Sequence, residues 1–108
     1  MKTLQNDLTT IEQSKRLLEL GVPKNSANHY YGKDGKLHYI DGTIPYSLLW
    51  ETGCTPCWSV GRLIEIYVIA RGVDTSYLQI ERGEDTVKYL VRLYKEKVKD
   101  LDFSKLDD

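Results

Sequence analysis

Sulfur, proline and histidine are scarce in this chain. Its 108 residues hold two cysteines, one methionine, three prolines and two histidines. At this length a hydrophobic core forms without obligatory disulfide or metal staples, and one domain is expected. Long apolar runs are also missing. The longest, Ile66 to Ala70, falls far short of the roughly 18–20 residues that span a bilayer. Met1 to Asp7 shows no apolar signal-peptide region, so no membrane association and a cytoplasmic location are expected. Nor does charge of one sign dominate. The net charge is −1, with six Lys/Arg against five Asp/Glu in residues 1–50 and nine against eleven in residues 51–108. Binding to duplex nucleic acid leans on phosphate neutralisation by cations, so it is not expected here.

The motifs of common chemistries are absent as well. No G-x-G-x-x-G, P-loop, H-E-x-x-H or EF-hand spacing occurs, and no serine or cysteine sits in a G-x-S-x-G context. Glu65, midway along an apolar stretch, is the one carboxylate with a claim to a general-base role. Its ordinary reading is a partner for Arg62 three residues earlier. A non-enzymatic protein that needs no cofactor is the expectation.

What is present begins with helix punctuation. Thr9 with Glu12, or Thr10 with Gln13, has capping-box spacing. The helix that follows should bury Ile11, Leu17, Leu18 and Leu20, then stop at Gly21 and Pro23. Ser59 is a candidate N-cap for a second, largely buried helix with Val60, Leu63, Ile64, Tyr67 and Val68 on its stripe. Gly83-Glu84-Asp85-Thr86 opens a last, amphipathic helix with Val87, Leu90, Val91, Tyr94 and Val98 inward. Residues 101–108 are acidic and should fray, leaving 1–100 as a single α+β domain.

Between the first two helices the period changes to two. Tyr30-Tyr31 and Leu37-His38-Tyr39 flank Asp34-Gly35, which suits a two-residue type I′ turn. That register sets Tyr31 against His38 and Tyr30 against Tyr39. Pro45 confines any further strand there to an edge, and Ser76 to Glu81 reads as one short strand. The expected order is thus helix, β-hairpin, buried helix, short strand and amphipathic C-terminal helix around a small antiparallel sheet.

Three blocks carry a resemblance. They are Thr10 to Ser14 with Leu17 to Gly21; Ile44-Pro45 with Pro56 to Ser59 and Leu63 to Glu65; and Gly83 to Val87 with the helix after it. Together they resemble a group of small proteins, with no assigned activity, carried by gut Bacteroides-type bacteria and their phages or mobile elements. The resemblance implies the fold and the setting and carries no catalytic residue. It departs between Ala70 and Gly83, where the group has a longer two-stranded segment.

Six of the eleven aromatic residues lie between Tyr30 and Trp58. Tyrosine and tryptophan offer rigid contact area with a polar tip, which suits a protein-binding surface or self-association. They also simply favour half-buried strands. The candidate contact residues are Tyr30, Tyr31, Tyr39, Tyr46 and Trp50. A weaker alternative is a tetrahedral zinc set of His29, His38, Cys54 and Cys57, formed if the hairpin folds onto the Cys54–Cys57 loop. A redox role for that C-x-x-C pair lacks the thioredoxin-type context, so loop thiols are the ordinary reading. A DNA-associated role would need Ser59 to Ile64 to begin a recognition helix, with a partner helix just before it.

Overall fold

A computed structural model describes residues 8–73 and 85–107. Among them are four α-helices and a three-stranded antiparallel sheet, an α+β fold. The strand expected over Ser76 to Glu81 lies outside the described residues.

Helix α1 (Ile11–Glu19) starts at a complete capping box. The Thr10 hydroxyl accepts the Gln13 N–H and the Gln13 side chain accepts the Thr10 N–H. Thr9, the other candidate cap, is fully buried instead. The helix ends in a Schellman arrangement, with Gly21 at φ 101° and the Val22 N–H on the Leu17 carbonyl. Its inward groups are Ser14 and Leu17. Ile11, expected inside, is 38% exposed; the first turn instead buries Ser14, whose hydroxyl meets that of buried Thr9.

The hairpin pairs β1 (His29–Tyr31) with β2 (Leu37–Tyr39) one residue away from the expected register. His29 faces Tyr39, Tyr30 faces His38 and Tyr31 faces Leu37. A type I′ turn requires positive φ at both Asp34 and Gly35, and only Gly35 has it. The Gly32 carbonyl accepts the Gly35 N–H, and the Gly32 N–H reaches the Lys36 carbonyl. This is a type I turn closed by a left-handed glycine, one residue longer than expected. The Asp34 carboxylate stabilises it by accepting the Lys36 N–H at 3.0 Å.

Two short elements correct the reading of the central segment. Pro45 ends no strand: it precedes helix α2 (Tyr46–Glu51), which closes at Gly53 with φ 88°. The third strand is β3 (Thr55–Cys57), read from sequence as a loop. It pairs antiparallel with β1, giving the order β2-β1-β3. Pro56 is tolerated because β3 is an edge.

Helix α3 (Val60–Arg71) is capped by the Ser59 hydroxyl and ends at left-handed Gly72. Helix α4 (Thr86–Lys97) is capped by Asp85. Leu17, Val22 and Ala27 pack with Leu63, Ile66 and Tyr67 of α3 and with Leu90 and Tyr94 of α4, around the fully buried Trp58. The expected frayed tail is docked. A 3₁₀ turn at Phe103–Asp107 carries Phe103 and Leu106 onto the core, Phe103 stacks on Tyr94, and the Asp102 N–H bonds the Ala70 carbonyl. Its apolar residues outweigh the acidic composition. No helix among the described residues is long and apolar enough to cross a membrane.

Candidate functional site

Residues paired across an antiparallel sheet share a face. One face therefore carries His29, Tyr39 and Cys57 together with Tyr31, Leu37 and Thr55; the other carries Tyr30, His38 and Pro56. The two faces meet different surroundings. On the first, the segment before α1 pairs antiparallel with the residues just after β3: Leu8 bridges Ser59 and the Thr9 N–H bonds the Trp58 carbonyl at 2.9 Å. The Tyr31 hydroxyl and the Cys57 thiol both donate to the Thr9 carbonyl, at 2.8 and 3.3 Å. That cover stops at β1. Leu37 and Tyr39, on the same face of β2, are 41% and 66% exposed.

On the second face Tyr30 stacks on His38 at 5.0 Å between ring centroids. Beside them lies a cleft of about 190 Å³, closed by Ile44 and by Leu49 of α2. Tyr46 and Trp50, one helical turn apart on α2, stack at 6.1 Å, and the Trp50 indole N–H donates to the Asn25 side chain at 2.8 Å.

The five candidate contact residues thus separate. Tyr39 and Tyr46 are exposed; Tyr30 and Trp50 are half-buried at the margins of the same region. Tyr31, also half-buried, is tied through its hydroxyl to the Thr9 carbonyl. Sequence reasoning missed Leu37, Ile44 and Leu48, which are exposed beside Tyr39 and Tyr46. Chemically this region offers apolar contact, aromatic edges and one unpaired strand edge.

The zinc arrangement is not assembled. His29 and Cys57 are paired on one face of the sheet while His38 projects from the other. No group of three or more metal-ligating side chains gathers among the described residues. Burial pushes the Cys57 thiol up, away from the reactive thiolate. Glu65 is exposed and ion-paired with Arg62 at 2.6 Å. The segment directly before α3 is strand β3, not the partner helix that a recognition helix starting at Ser59 would need.

Burial of Tyr31, reinforced by the neighbouring Cys57, raises its phenol from 10.0 to about 12. Burial likewise raises Tyr94, whose hydroxyl donates to the Leu63 carbonyl. A group held protonated by the fold contributes fully below its unfolded pKa and loses that contribution as pH rises through the folded value. Stability should therefore decline between about pH 10 and pH 12. Tyr31→Phe should make that decline shallower in denaturant titrations across the range. An unchanged slope would mean that Tyr31 ionises freely in the folded chain.

Compared with protein-family models, with curated protein sequences and with solved structures, the chain shows no match.

Proposed function

We propose that this chain is a non-enzymatic protein-interaction module whose contact surface is β2 with the loop and helix α2 that follow. One observation carries the reading. Of the seven large hydrophobic residues exposed among the described residues, five (Leu37, Tyr39, Ile44, Tyr46 and Leu48) fall within a single twelve-residue stretch. Scattered apolar residues on a surface are ordinary, whereas a local concentration of them is the usual sign of a binding site. The proposal includes a cytoplasmic setting, supported by two free cysteines, as expected where thiols stay reduced. It also includes a phage or mobile-element context, for which the resemblance of the three sequence blocks is the support.

Affinity capture with three baits tests the surface. Tyr39→Ser with Leu48→Ser should lose partners that the unaltered chain retains. Ile69→Ser, which changes an exposed isoleucine on α3, should keep them. Equal capture by all three baits, each confirmed folded by circular dichroism, would defeat the proposal.

A further inference from the structure

Resting on the reading of β2 as a contact surface, we infer that its occupant is a second copy of this chain, added antiparallel along β2 to make one continuous six-stranded sheet. The first support is hydrogen-bond parity. The Lys36 carbonyl accepts from Gly32 and the Ile40 N–H donates to Asn28, so both residues turn their backbone groups towards β1. Alternation along an antiparallel strand then turns His38 inward as well, leaving the N–H and C=O of Leu37 and Tyr39 pointing outward. Among the described residues no strand pairs with β2 on that side.

Two copies related by a two-fold axis at His38 place Leu37 of one opposite Tyr39 of the other, twice. Each such pair exchanges two hydrogen bonds, so all four outward groups of each strand are satisfied. This is the register that pairs both outward residues within β2 itself. The side chains agree with the backbone. Leu37 and Tyr39 share a face, both are exposed, and each would cover its counterpart as a cross-strand aromatic–aliphatic pair.

Charge points the same way. Lys33, Asp34 and Lys36 leave one end of the strand net positive, and Asp41 makes the other end negative. In this register antiparallel addition sets Lys36 opposite Ile40 of the second copy, one position from its Asp41, whereas parallel addition would set the two net-positive ends together. Within β2 itself nothing blocks pairing. No proline or formally charged residue interrupts Leu37 to Tyr39, while the opposite edge, β3, carries Pro56. With three residues in each strand the contact is small, so the dimer is reversible.

Sedimentation velocity on the full chain from about 10 μM to about 1 mM spans the affinities of such small contacts. The average mass should rise towards the dimer, and amide exchange at Leu37 and Tyr39 should slow with concentration. Leu37→Glu with Tyr39→Glu sets like charges opposite each other and should abolish both effects. Leu37→Glu with Tyr39→Lys sets opposite charges together in this register and should retain them. A monomer throughout, exchange protection independent of concentration, or identical behaviour of the two double variants would overturn self-pairing. The exchange measurement on the unaltered chain decides the matter even if a variant fails to fold. A monomer whose captured partner still depends on Tyr39 removes the dimer and keeps the interaction surface; a monomer with no Tyr39-dependent partner removes both.

Discussion

Replacing Trp58 by alanine is expected to lower the free energy of unfolding by about 3–5 kcal/mol, the range for removing a large buried aromatic side chain. The ring is wholly inaccessible and sits among Leu17, Val22, Ala27 and Leu63, between the sheet and the helices. Its indole N–H donates to the Ser26 hydroxyl at 3.0 Å, so the side chain also fixes the 3₁₀ turn at Lys24–Ser26. Ser26 in turn donates to the Pro23 carbonyl and keeps one partner after the truncation. The cavity, not an orphaned hydroxyl, therefore dominates the loss. Small domains have about 5–15 kcal/mol in total, so the variant should be partly unfolded at modest temperature. Trp58→Phe retains most of the packing and loses one hydrogen bond, for a cost of about 1–2 kcal/mol. Urea titrations followed by circular dichroism measure both without relying on the altered indole. A loss under about 1 kcal/mol for Trp58→Ala would contradict the central place given to this residue.

The parts of this architecture that were legible in the sequence are those set by local chemistry. Thr10 with Gln13, Ser59, Asp85 and Gly21 mark helix ends through their own side chains or backbone preferences. The hairpin was half legible. Asp34-Gly35 announces a turn, but a two-residue and a three-residue loop both accept it, and one residue exchanges the faces of Tyr30 and Tyr31. Helix α2 was hidden because six residues are too few to display a helical period, and Pro45 suits a helix start as well as a strand edge. Strand β3 was hidden because its proline argues against pairing until an edge position is known. The contact surface divides in the same way. Tyrosine enrichment located the hairpin and the turn after it. It did not separate Tyr31, held by a carbonyl 22 positions away, from Tyr39, which stays 66% exposed. Exposure of Leu37, Ile44 and Leu48 depends on where the helical layer ends, a property of tertiary packing that no local pattern carries.

Thr9→Val should destabilise the chain through hydrogen bonds, not volume. The two side chains are nearly the same shape, and the Thr9 hydroxyl is completely buried. That hydroxyl accepts the Trp58 backbone N–H at 3.0 Å and meets the Ser14 hydroxyl at 2.8 Å. Valine leaves both without a partner, at roughly 1–3 kcal/mol for each buried group. Thr9→Ser keeps the hydroxyl and gives up one methyl, for about 1 kcal/mol. Adding Ser14→Ala to Thr9→Val removes the second orphan and should recover part of the loss, because deleting both partners of a buried bond costs less than deleting one. The Trp58 N–H is orphaned in either background, so recovery is incomplete and its amide should exchange faster in both. The consequence reaches the sheet, since the backbone of Thr9 is what holds Tyr31 and Cys57 against the N-terminal segment. Loosening it uncovers the inner face beyond β2 and should raise the accessibility of the Cys57 thiol to alkylating reagents. Equal stabilities for Thr9→Val and Thr9→Ser in urea titrations, with Cys57 equally protected in both, would show that this hydroxyl anchors nothing.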